Sequence, residues 1–315
     1  MDRPAPRIGI ALSFLCLLIL GVMPIIANSR PQGSSALGFA WILSLWQLIF
    51  ALPLFVRELA SSHKGLFAGH FPRRVLTRMF IVNLLTGLMF GLATWFYVLA
   101  MEQAGAVSAA IAIQAYPLFA MLVEMILLRR MKGRWELAST GILLVTLYYL
   151  GTAGSWRIDG FSLWFLVALC VPLLWGIAHV LIREELTNTP ITPAQVTFFR
   201  VLLSALFLGV LYGLSGADDW AVLWQRDLMM FGMVMGLFYY LELIVWFHAV
   251  RHIDVSLASS VTTPWPAVTM ILAVIFLDET VSYSQLVAFI VVALSIYLLL
   301  TAAGKRLAAA RARLP

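Results

Sequence analysis

The sequence predicts an all-α integral membrane protein: ten transmembrane helices arranged as two inverted five-helix repeats, with both termini cytoplasmic. Three observations predict it. The 315 residues are 62% hydrophobic and 11% charged, against about 25% charged in an ordinary soluble domain. The apolar residues come in blocks of roughly twenty, the length that crosses a hydrocarbon core of about 30 Å. The chain also resembles itself at a shift of 149 residues.

In chain order the expected spans are 8–27, 37–56, 76–99, 104–128, 134–150, 161–181, 191–213, 227–250, 254–277 and 283–302. Each is read as a helix, because only helices and closed barrels satisfy their backbone in lipid. These continuous apolar runs lack the alternation of barrel strands. Span 1 follows Arg3 and Arg7, but it is too long for the apolar part of a signal peptide and has no small-residue cleavage site. The connection from Arg57 to Arg78 is the longest; it is basic and reads as a solvated face. The other connections are too short for a soluble domain.

With the amino terminus inside, 17 of the 21 Lys and Arg fall on the cytoplasmic side, three fall outside, and Arg200 lies within span 7. Positive-inside bias therefore accounts for the net charge of +6, and no nucleic-acid partner is expected. Cys16 and Cys170 each sit in an apolar segment without motif neighbours, which argues against a disulfide, a catalytic thiol or a metal site. No cofactor and no metal are expected.

The repeat divides the chain into 1–155 (spans 1–5) and 156–315 (spans 6–10 with a short basic tail). At the shift of 149, Ala100 to Met131 lies on Ala249 to Thr280, Pro117 on Pro266, and Tyr148 on Tyr297. At a shift of 148, Pro24 meets Pro172. Spans 3 and 8 each carry G-x-x-x-G, as Gly87/Gly91 and Gly232/Gly236. An odd number of helices per copy puts the copies in opposite orientations. The charges agree, since Arg129 and Arg130 occupy the places of Asp278 and Glu279. Inverted repeats are a hallmark of secondary transporters with a site near the midplane.

These stretches resemble the drug/metabolite transporter superfamily, in particular its EamA-type ten-helix members. The likeness is carried by "AGAVSAAIAIQAYPLFAMLVEMILL" in the first copy, and by "FFR" (Phe198 to Arg200) and "VSLASSVTTPWPAVTMILAVIFLDE" in the second. Two departures are visible: Arg129–Arg130 stand where family members often keep a glutamate, and Gln47 stands where span 2 often has an arginine. The resemblance implies a multi-pass protein of the bacterial inner membrane that exports or imports small metabolites, amino acids among them. It also implies a cavity walled by helices 1, 3, 4, 6, 8 and 9.

Ionisable groups inside a membrane are costly and need a reason. Counting from the helix ends places Arg200 and Glu242 at equal depth on antiparallel spans 7 and 8. They form either a structural ion pair or a functional one, in which Glu242 couples a proton or faces a cationic substrate. Tyr239, Glu242 and Trp246 share a face of span 8, and Ser259, Thr262, Thr263 and Trp265 belong to the polar entrance of span 9. Trp95, Gln114 and Tyr116 from the first copy, with Trp175 and His179 of span 6, complete an expected substrate pocket. Each of these residues alone is equally at home filling a helix interface. Pro24, Pro117, Pro172, Pro264 and Pro266 are expected helix kinks, because each removes a backbone donor and frees a carbonyl one turn earlier.

No P-loop, H-E-x-x-H or nucleophile elbow occurs, so ATP-driven pumping, zinc proteolysis and serine hydrolysis are not supported. The expected function is secondary transport of a small molecule, in the bilayer, as a monomer or homodimer, with proton coupling through Glu242 as one reading. Export of an amino acid or a related amine or aromatic compound follows from the resemblance and the aromatic content. A membrane-embedded enzyme would need a catalytic cluster that is not visible. A non-transporting receptor or scaffold leaves the repeat and Glu242 without a role.

Overall fold

In the computed structural model the described residues are 6–31, 33–61, 65–67, 69, 71–127, 133–157, 162–216, 220–252 and 261–311. They are helical throughout, apart from turns and short connections. The helices are α1 (Pro6–Asn28), α2 (Ala36–Leu59), α3 (Arg73–Gln103), α4 (Ala106–Ile113), α5 (Tyr116–Leu127), α6 (Arg134–Gly151), α7 (Leu163–Asn188), α8 (Pro193–Leu214), α9 (Trp220–Leu223), α10 (Arg226–His252), α11 (Trp265–Phe276) and α12 (Tyr283–Arg311).

Local chemistry sets several starts. Ser35 accepts from the Gly38 amide at the head of α2. Thr192 and Gln195 form a reciprocal capping box at α8, with Pro193 in the first turn, where its missing N–H costs nothing.

Six helices are long and apolar enough to cross a membrane: Arg7–Asn28, Ala36–Leu59, Arg73–Gln103, Leu163–Ile182, Ala194–Leu214 and Arg226–Trp246. Leu137–Gly151, Trp265–Phe276 and Tyr283–Leu298 are shorter apolar helices. Large apolar side chains remain exposed along them, Leu163, Leu206, Val210, Ile271 and Leu294 among these. That is the surface of a multi-pass membrane protein, whose solvent is hydrocarbon. Expected span 4 is not one helix. It is α4 followed by α5, with a break at Gln114–Ala115.

The prolines act differently from one another. Pro24 and Pro172 lie inside α1 and α7, which run through them without interruption, so they do not break their helices as Pro117 and its counterparts do. Pro117 falls in the first turn of α5, while Pro264 caps α11 and Pro266 is its second residue. A proline tolerated at a helix start is a terminator of the segment before it.

Glycines let the helices approach. On α3, a Cβ at Gly87 would lie 2.6 Å from Leu203 Cβ of α8, and one at Gly91 would lie 2.9 Å from Phe207. On α10, a Cβ at Gly236 would lie 2.7 Å from the Leu43 carbonyl oxygen of α2. Both G-x-x-x-G motifs are thus buried against the neighbouring helix, as small residues in membrane interfaces are. The principal packing pairs are α3 with α7 and α8, α10 with α1 and α2, α2 with α8, α6 with α12, α5 with α7, α1 with α11, and α4 with α7 and α11.

Candidate functional site

The two broken helices meet. Gln114, buried at the end of α4, donates from Nε2 to the carbonyl of Thr263 at 2.6 Å. The Ala267 amide bonds the Pro264 carbonyl, as the turn into α11 tightens. A side-chain amide thus donates to a backbone acceptor in an apolar interior. Replacing Gln114 by leucine removes this bond and is expected to cost about 0.5–1.5 kcal/mol, read as a lower thermal midpoint of the detergent-solubilised protein.

Beside this junction, α3, α7 and α10 bring aromatic rings together. Tyr97 stacks on Trp175 (centroids 6.4 Å apart) and meets Tyr239 edge-on at 5.8 Å. Glu242, one turn along α10 from Tyr239, accepts from the Cys16 thiol of α1 at 3.5 Å. One turn along α7 from Trp175, His179 packs edge-on to Phe90 (5.2 Å) and to Tyr116 (5.6 Å). The Arg200 guanidinium lies 4.0 Å over the Phe90 ring, a cation–π contact in a desolvated place. Two polar atoms here are buried without a hydrogen-bond partner among the described residues: the Tyr239 hydroxyl and His179 Nδ1.

Some of the residues expected around a pocket lie near one another. Trp175, His179, Tyr239 and Glu242 gather with Tyr116, and Gln114 and Thr263 join the helix breaks. Thr262 and Trp265 are buried beside the same junction, while Ser259 lies outside the described residues. Trp95 does not belong to the cluster. It packs on Phe96, and at about 100° per residue it points some 200° away from Tyr97. Trp246 is half-buried on α10 but is not among the rings packed around Tyr97.

Arg200 and Glu242 do not form the direct ion pair expected from equal depth. Among the described residues no N···O distance between them falls within 4.0 Å, although each feels the other's charge. The reason lies in their neighbours on α3: Arg200 sits at Phe90, whereas Glu242 acts on Tyr97, seven residues further along. Seven residues are about 10 Å of helix.

Sequence reasoning did not single out Phe90, Tyr97 or Cys16. Phe90 and Tyr97 have the seven-residue spacing of one helix face, which was the available signal. Cys16 carried none.

The two ends of the bundle are tied by charge. At one end Arg30, itself buried, pairs with Glu102, and Glu279 accepts from the Asn28 side chain (3.5 Å) and from the amides of Ala106 (2.9 Å) and Val107 (3.4 Å). Glu279 thus caps α4 from outside that helix, satisfying two of its orphan donors and complementing its dipole. It is more than the charge signal that its position after span 9 suggested. At the other end Arg78 donates to Glu185 at 2.6 Å, joining α3 to α7.

A cavity of about 440 Å³ opens elsewhere, between α2, α8 and α10, lined by Leu54, Arg57, Glu58, Thr197, Tyr240 and His248. None of the expected pocket residues lines it.

Residues 162–301 match the model of the EamA-like transporter family. No curated protein matches the sequence. Among 25 solved chains that match in structure, the fold is similar to a crystal structure 13% identical in sequence, with a TM-score of 0.62 over 94% of this chain and 98% of that one. That likeness speaks for the fold alone. Residues 162–301 thus resemble the EamA-like transporter family, which is part of the drug/metabolite transporter superfamily, and nearly the whole length of the chain shares a solved fold.

Proposed function

We propose that the protein is a secondary transporter that carries a small organic solute by alternating access. Its halves, 1–155 and 156–315, act as inverted repeats of five spans each, with both termini cytoplasmic, in a bacterial inner membrane. The single observation that carries the reading is the Gln114–Thr263 bond, whose partners are 149 residues apart, the shift that aligns the two copies. Helix breaks at equivalent positions of two repeats, touching in the interior, are what a midplane site between repeats requires. The packing supports it: exchanging the copies turns α3 against α7 and α8 into α10 against α1 and α2, and both kinds of contact occur.

In this reading the Arg30–Glu102 pair and the Glu279 cap close the outer end, and the solute lies among Tyr97, Trp175, His179, Tyr239 and Glu242. The favoured substrate is an amino acid or a related amine or aromatic compound, moved outward, and Glu242 is the group available for proton coupling. No enzymatic role is assigned, because residues 162–301 match a transporter family.

Counterflow in proteoliposomes preloaded with unlabelled amino acids and amines tests this. Labelled solute is expected to accumulate transiently, and a pH gradient is expected to alter the rate. Folded, reconstituted protein that moves none of the solutes would overturn the transporter reading.

A further inference from the structure

Glu242 is a carboxylate in the apolar interior whose hydrogen-bonding neighbour is a thiol, a weak donor. Among the described residues no Lys, Arg or His nitrogen lies within 4.0 Å of it. A buried charge without a partner is costly, and the Tyr239 hydroxyl one turn away is buried with no partner either. Around both stand the rings of Tyr97, Tyr239 and Trp175. When ionised, Glu242 has no cation in contact among the described residues, it and the Tyr239 oxygen can each accept an N–H, and the rings offer π faces.

We propose that Glu242, the Tyr239 hydroxyl and the Tyr97–Trp175 rings form the head-group subsite for a protonated amine that bears N–H bonds, a primary or secondary ammonium. The inference rests on the transporter reading and narrows its substrate. An ammonium supplies the missing charge, donates one hydrogen to Glu242 and another to the Tyr239 oxygen, and lays its remaining face on the rings. A quaternary ammonium gains the ring faces but leaves the Tyr239 oxygen without a donor and Glu242 with only the Cys16 thiol, so the subsite discriminates against it. Arg200, over Phe90, sets the direction. Its positive charge lies toward the His179 end, so the cationic head points to Glu242 and the apolar body extends along Trp175 and His179.

The test compares 2-phenylethylamine with its N,N,N-trimethyl analogue, by direct binding to purified full-length protein in detergent and by inhibition of counterflow. The primary amine is expected to bind at least about tenfold more tightly, the worth of a hydrogen bond to a charged group. Glu242→Gln, at unchanged size-exclusion profile, is expected to lose that binding. If Glu242→Gln does not fold, Tyr239→Phe keeps the ring and removes the acceptor, and is expected to reduce the preference for the primary amine several-fold. Equal binding of the two probes, or binding indifferent to both substitutions, overturns the inference. Counterflow of a neutral or anionic solute with no amine binding overturns it too, while leaving the transporter reading standing. Amine binding in a protein that transports nothing upholds the subsite and overturns the transporter reading.

Discussion

Gly236→Val is expected to leave no monodisperse protein in detergent extracts. The added Cβ would stand 2.7 Å from the Leu43 carbonyl oxygen and 2.9 Å from the Gln47 amide nitrogen, both backbone atoms of α2. A flexible side chain can turn aside, but a helix backbone must move as a body, and α2 is also held by α8. Overpacking a fitted interface costs about 1–3 kcal/mol even when side chains absorb it; here they are not what is struck. Gly141→Ala is the matched control. Nothing lies within 4 Å of its Cβ position, and alanine is the better helix former by up to about 1 kcal/mol. Fluorescence-detected size exclusion should show a collapsed or aggregated profile for the first variant and an unchanged peak for the second.

Glu279→Ala is expected to lower the thermal midpoint and to weaken closure of the end of the bundle that it ties. The amides of Ala106 and Val107 are buried and bond to its carboxylate. Removing it leaves two donors unpaired at about 1–3 kcal/mol each, and strips a negative charge from the positive end of α4, a further ~0.3–1 kcal/mol. Asp278→Asn is the control: Asp278 is exposed and has a φ of 53°, a conformation that asparagine accepts. A thermal midpoint lowered by several degrees in the first and unmoved in the second would locate the effect in the cap. A midpoint unmoved in both would show that the cap contributes no stability.

Much of this fold could be read in the sequence because membranes simplify the problem. Block length and composition alone demand helices, and prolines punctuate them. The turn before Pro117 and the one before Trp265 each fall beside a proline that the sequence marked. Trp175, His179, Tyr239 and Glu242 were legible as a group, since polar and aromatic residues stand out in apolar helices.

Three things were not legible. Choosing Trp95 over Tyr97 was an error of helix face, and a helix apolar all round offers no polar side from which to judge facing. The Arg200–Glu242 pair failed because counting residues from helix ends gives depth along each helix but not which neighbour stands alongside. The Cys16 contact and the Glu279 cap link positions 226 and 173 residues apart. No local pattern encodes such a pairing.

The bond between Gln114 and Thr263 has one more consequence. If the repeats exchange roles as access alternates, the positions they occupy exchange too. An amide stands at one and a hydroxyl at the other, so the contact is not its own mirror image. The two extremes of the cycle are then unequal in energy before any solute binds. On the proposed cycle, the empty carrier would then have a preferred resting side, and substitutions at these two positions would be the ones to reset it.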